Sequence, residues 1–181
     1  MADTGILSFN ASSGTATNHA NLLSGTTTCG WNASTSKYAI VTDAGDDNLP
    51  AGSTVNGIEV FLTDLWKGSL WSQTVTLTTD ISLDGGSNWS STTVEQVVGL
   101  LQTADYTQGS STNTWGLDWS GFTDLNQLAV RLTSDPGTGF AAFSCELCQI
   151  KVYYTEVEVI TPRIKLLSGK LSLKGGQLII K

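Results

Sequence analysis

Histidine occurs once in this 181-residue chain, at His19 in the polar stretch ATNHAN. A Ser-His-Asp triad or an H-E-x-x-H metal site would therefore rest on that one ring. The chain also lacks a G-x-S-x-G elbow and a Walker loop. The expectation is a protein that is not an enzyme and holds no cofactor. Cysteine is scarce and odd in number, with Cys29, Cys145 and Cys148, which suggests free thiols rather than a disulfide framework. No apolar run approaches the length of a membrane span, and MADTGILSFN lacks the basic and apolar regions of an export signal. Synthesis in the cytosol, with no membrane partner, is expected.

Charge is also sparse, at 14 % of residues, and it is unevenly placed. Residues 1–162 carry all sixteen acids and only Lys37, Lys67, Arg131 and Lys151 as bases, about −12. The last nineteen residues, RIKLLSGKLSLKGGQLIIK, carry Arg163, Lys165, Lys170, Lys174 and Lys181 and no acid, about +5. An acidic body argues against a nucleic-acid partner, and five cations along a short arm are a weak phosphate footprint.

What the chain has in abundance is Ser, Thr, Gly and short alternating stretches. TVNGIEVFL places Ile58, Val60 and Leu62 on one face and Glu59 on the other. QLAVRLT does the same with Leu128, Val130 and Leu132 against Arg131, and CQIKVYY with Ile150, Val152 and Tyr154 against Lys151. QTVTLTT alternates Val75 and Leu77 with Thr. Period-two alternation marks strands with one buried face. The turn signals LPAGS, LWKGSLW, DGGSN, TQGSSTN and DPGTG fall between them. VEQVVGLL (Val94–Leu101) is the best helical candidate, and it contains Gly99.

The predicted fold is all-β, an antiparallel jelly-roll or β-sandwich with a short C-terminal hairpin-like arm. Residues 1–36 form an arm or the first strands, 37–160 the sandwich, and 161–181 a basic apolar anchoring or oligomerisation arm. Pro162 interrupts the alternation of TEVEVI and marks the exit from the sandwich. Two strands around Gly175-Gly176 would make a hairpin, an element marginal in isolation.

Few constellations carry chemistry. Cys145-x-x-Cys148 resembles half a zinc site, but on one strand positions i and i+3 point to opposite faces, so the pair reads as packing. Asp43, Asp46, Asp47 and Asn48 read as a solvated acidic loop rather than a calcium loop, and Asp80 and Asp84 likewise. Asn10, Asn32 and Asn88 begin N-x-Ser triplets of the kind chance produces here. Trp66 and Trp71 flank a Lys-Gly-Ser turn, where exposed rings would suit stacking on sugar or another surface. Trp89, Trp115 and Trp119 lie near other loops.

Pro50–Val60, Trp115–Trp119 (WGLDW), Leu128–Leu132 and Ile150–Tyr154 (IKVYY) together resemble a jelly-roll domain common among tailed-phage structural proteins, over residues 31–157. The chain departs from that pattern at Leu128-Ala129-Val130, where Phe-Gly-Val is frequent, and in the Trp66–Trp71 insertion. The resemblance implies a non-enzymatic virion protein, made in the host cytoplasm and carried on the outer surface of the particle. Its leading form is a capsid decoration protein docked on the major capsid protein or other virion subunits, as a trimer or dimer. Arg163, Lys165, Leu166, Lys170, Leu171, Leu173, Lys174, Leu178 and Ile180 would form the docking arm. A tail or tail-tip receptor-binding subunit is the alternative. A carbohydrate-binding module, contacting a host-surface glycan through Trp66 and Trp71, is the alternative of another class.

Overall fold

Ile58, Val60 and Leu62 are each at most 1 % exposed, while Glu59 and Phe61 between them reach the surface. Val130 and Leu132 behave the same way around Arg131, and Ile150 and Val152 around Lys151. Each branched side chain removed from water contributes about 1.5–3 kcal/mol, so the alternation fixes which way every strand faces.

The computed structural model describes residues 1–31, 36–45, 48–69, 75–99, 102–135, 141–157, 173–174 and 177–178. Within them the strands are β1 (Ala2–Asp3), β2 (Leu7–Ser8), β3 (Ala11–Gly14), β4 (Cys29–Trp31), β5 (Lys37–Thr42), β6 (Thr54–Ser69) and β7 (Val75–Ser82). They continue with β8 (Val94–Val98), β9 (Thr103–Ser110), β10 (Ala129–Asp135), β11 (Ala141–Cys145), β12 (Leu147–Thr155), β13 (Leu173–Lys174) and β14 (Gln177–Leu178). Two 3₁₀ turns, His19–Leu23 and Leu125–Gln127, interrupt them.

Two antiparallel sheets form a β-sandwich of the jelly-roll kind. One runs β1-β12-β6-β11-β4, with β2 also on β12 and β9 along the other edge of β6. The second runs β3-β5-β10-β7-β8. The facing sides share one apolar core, where Trp31 stacks on Phe143 with centroids 4.9 Å apart. Residues 1–31 belong to this body: β1 and β2 pair with β12, β3 with β5 and β4 with β11, and Phe9, Leu22 and Trp31 are core. In the arm, β13 pairs with β14 as Leu173 opposite Leu178 and Lys174 opposite Gln177, a short hairpin.

Three local expectations are corrected. Val94–Val98 is a strand on β7, since Val94, Val97 and Val98 are β-branched and suit a pleated edge. Trp66, Lys67, Gly68 and Ser69 form no turn: they continue β6 and pair with Ser144 to Ala141 of β11. A bulge makes this possible. Leu62 and Leu65 both face inward although three residues apart, because Asp64 adopts φ 49° and the register to β9 shifts there. The Asp64 N–H donates to the Asp105 carboxylate at 2.9 Å.

The same fault line overturns the opposite-face reading of Cys145 and Cys148. A bend at Glu146, whose N–H donates to the Thr63 carbonyl at 3.0 Å beside the bulge, separates β11 from β12. Both thiols therefore turn inward and are fully buried, as is Cys29, the cross-strand partner of Cys145.

Candidate functional site

Two rungs cross the outer face of the second sheet. In one, Thr133 of β10 lies between Tyr38 of β5 and Thr78 of β7. In the next, Arg131 lies between Ile40 and Asp80. Because most apolar members of these strands face the core, the outward positions around Ile40 collect hydroxyls, one acid, one base and one aromatic. They line a shallow groove of about 540 Å³ together with Ser36, Ser90 and Thr93.

Its floor is held firmly. Arg131 donates from Nε and Nη2 to Asp80 Oδ2, at 2.9 and 2.7 Å, and the guanidinium lies 4.4 Å from the Trp89 ring centroid. Thr93 donates its hydroxyl to Asp80 Oδ1 at 3.0 Å. Asp80 is only 5 % exposed, so the expectation that it is a solvated acid is corrected. A planar fork with an aromatic on one face is the way a buried carboxylate is best compensated. Tyr38 stands at the groove's other side, 39 % exposed.

Trp89 is positioned by the loop before it. Asp84 Oδ1 accepts the Asn88 N–H at 2.8 Å, the Ser87 N–H at 2.9 Å and the Ser82 hydroxyl at 2.7 Å, and Oδ2 accepts Asn88 Nδ2 at 2.6 Å. These bonds, the Asn88 amide first, hold the Asp84 carboxyl down at about 2. Asp84 thus ties its own loop, and the chain returns to the sheet where the Ser90 N–H meets the Ile81 carbonyl at 2.8 Å.

A second concavity, of about 490 Å³, lies between Gly52–Val55 and Thr114–Thr123. Its rings are structural. Trp119 is 6 % exposed, donates Nε1 to the Thr114 carbonyl at 2.9 Å and meets Phe122 edge-on at 5.2 Å. Asp118 is held below the usual carboxylate range by the Ser120 amide and hydroxyl. Trp115 is wholly buried and donates Nε1 to the Ile58 carbonyl at 3.3 Å.

Trp66 is 37 % exposed on β6, in the first sheet, and lines neither concavity. Trp71 lies outside the described residues, as do Arg163, Lys165, Leu166, Lys170, Leu171 and Ile180. For Leu173, Lys174 and Leu178 only the backbone pairing of the hairpin is described. Asp46 and Asp47 are likewise outside. His19 shares a 2.9 Å hydrogen bond with the Ser12 hydroxyl and lines neither concavity. Burial pushes the Cys29 and Cys145 thiols up to about 12 and Cys148 well above its ordinary value, so all three stay protonated. Among the described residues no three His, Cys, Asp or Glu side chains are disposed to hold a metal ion.

The groove was missed in the sequence because its members are dispersed over 98 positions, from Ser36 to Thr133. The available signal was small: Arg131 is one of only four bases before the arm, and it points outward from an apolar strand.

No family model matches the chain, and no curated protein does. Among solved structures, it is similar to the CBM32 module of AlyQ in complex with 4,5-unsaturated mannuronic acid, at 12 % identity over 80 % of this chain and 96 % of that one, TM-score 0.42. It is similar to TmCBM61 in complex with β-1,4-galactotriose, at 10 % identity over 82 % and 91 %, TM-score 0.38. It is also similar to the enzymatically active domain of bacteriophage CBA120 tailspike protein 4, at 14 % identity over 82 % of this chain and 18 % of that one, TM-score 0.40. Likenesses this distant accompany a sandwich fold and decide nothing about ligand or role.

Proposed function

We propose that this chain is a non-catalytic carbohydrate-binding β-sandwich whose ligand lies in the groove across β5, β10 and β7. The observation that carries the reading is the locked Asp80–Arg131 pair in the groove's floor, with Trp89 against the guanidinium and exposed Tyr38 and threonine side chains lining the groove around it. A sugar ring has an apolar C–H face and a rim of hydroxyls; a tyrosine ring suits the first, and a guanidinium, carboxylate and hydroxyls suit the second. Among the described residues lining the groove, the one carboxylate is committed to an ion pair, so these residues offer no acid–base pair for glycosidic hydrolysis.

Affinity electrophoresis in gels containing polysaccharide tests this directly. Covering about 60 Å² of the Tyr38 ring is worth about 1.5 kcal/mol, roughly tenfold in affinity. Tyr38→Ala should lose about that much retention, and Trp66→Ala, altered on the other sheet, should lose none. Full retention by Tyr38→Ala removes the groove from the account.

A second reading places the domain on a phage particle, as a capsid decoration protein or a tail subunit. What supports it is the motif resemblance together with the segregated charge of 163–181, which contains the hairpin β13–β14. An arm of that composition would gain backbone partners and apolar burial on a neighbouring subunit. Deleting 163–181 should then abolish particle binding and leave the sandwich folded. Undiminished occupancy of the particle would remove the arm from this role.

A further inference from the structure

We infer that the groove's ligand is an uncharged glycan, recognised through neighbouring hydroxyls and not through a carboxylate or sulfate. This rests on the carbohydrate-binding reading and adds the ligand's chemical class. Among the described residues, Arg131 is the one cation lining the groove. Two of its N–H donors are committed to Asp80, at 2.9 and 2.7 Å. An anionic sugar that took that fork would leave a carboxylate only 5 % exposed unpaired, and one that used the remaining N–H groups would meet a cation whose charge Asp80 already offsets. Breaking a buried pair from one side is among the costliest single changes in a protein.

The surroundings act the same way. Lys37, between the lining residues Ser36 and Tyr38, alternates to the opposite side of β5. Glu95, the cross-strand partner of Thr78, is exposed on the groove's side of β8. Residues 1–162 together carry about −12, which repels anionic polymers at low salt. What remains for a ligand is the Tyr38 ring, the Thr78 and Thr133 positions adjacent across the strands, and the guanidinium N–H groups that Asp80 does not use. A guanidinium donor beside threonine hydroxyls, which both donate and accept, matches two adjacent sugar hydroxyls.

The experiment is affinity electrophoresis of the full chain against neutral polymers (galactan, xylan, glucomannan) and acidic ones (alginate, polygalacturonate, chondroitin sulfate), each at low and high salt. The expected result is retardation by at least one neutral polymer, changed less than twofold by salt and weakened about tenfold by Tyr38→Ala. Retardation by acidic polymers alone, or retardation that high salt abolishes, overturns the neutral-ligand inference and leaves carbohydrate binding standing. Absence of retardation by every polymer of both kinds overturns both.

Discussion

The two outer faces of the sandwich use the same three kinds of group to different ends. On the second sheet, Arg131, Asp80 and Trp89 make a planar, two-point ion pair with a ring 4.4 Å from the guanidinium, sunk in the floor of a groove. On the first sheet, Lys151 reaches Asp3 at 3.1 Å and lies 4.9 Å from the Tyr153 ring, whose hydroxyl donates to Glu59 at 2.7 Å. Here Asp3 is 38 % exposed and the group lines neither described concavity. Lys151 and Asp3 join β12 to the two-residue strand β1, so this cluster fastens an edge. Residue types alone do not distinguish a site from a staple. Burial of the acid, the planarity of the base and the concavity around them do.

The largest effect should come from breaking the buried pair. Arg131→Ala leaves Asp80 without its cation and should cost about 2–4 kcal/mol of unfolding free energy, the lower end reflecting the partly exposed guanidinium. Urea denaturation measures it. Replacing both partners with apolar residues, Asp80→Leu with Arg131→Met, should recover most of that stability while glycan retention stays lost. If the double variant still bound glycan, the pair would be a fastening like its counterpart on the other sheet.

Next in size is Tyr38→Ala, with its roughly tenfold loss of affinity and a stability change within about 0.5 kcal/mol, as for an exposed position. Binding and stability separate at Tyr38 and coincide at Arg131, which sharpens the contrast between ligand contact and structural floor.

Acid should act on the loop that seats Trp89. Asp84 is held at about 2 against an ordinary 3.8. Its folded value is lowered, so the contribution is complete above about 4 and is lost as the pH falls toward 2. The Ser87 and Asn88 amide resonances should hold steady down to about pH 4 and move together below it. A midpoint near 3.8 would mean that the carboxylate does not tie the loop.

The smallest effect belongs to Lys151→Ala. The Asp3 carboxyl is held low chiefly by the Gly5 N–H, with Lys151 second, so β1 keeps its main local tie. Global melting should be unchanged. Amide exchange at Thr4, whose N–H donates to the Val152 carbonyl at 3.1 Å, should quicken.

Most of the sheet architecture was legible because one buried face forces period-two alternation, as in Ile58–Leu62 and Val130–Leu132. It failed where the backbone changes phase. The bulge at Asp64 and the bend at Glu146 put Leu62 with Leu65, and Cys145 with Cys148, on one face at a spacing that alternation forbids. Gly68 and Ser69 read as turn chemistry but lie in a paired strand. Three of the four motifs behind the resemblance prove to be neighbours in space: Val60 faces Ile150, Ile58 faces Val152, and Trp115 bonds the Ile58 carbonyl. Gly57 among them has the Ser110–Thr112 backbone so close that a methyl would overlap it. Such residues are constrained by packing, so they report the fold and say little about what it binds. The groove needed three strands brought into register, and no local pattern records that.

The central claim is that sugar binds on the outer face of the second sheet. Titrating a neutral oligosaccharide, drawn from whichever polymer retards the chain, into the isotopically labelled protein and following amide shifts tests it most directly. Perturbations should centre on Tyr38, Thr78, Thr93, Arg131 and Thr133, with the amides around Trp66 and Thr114–Thr123 unmoved. Perturbations centred on Trp66 or on Thr114–Thr123 would contradict it.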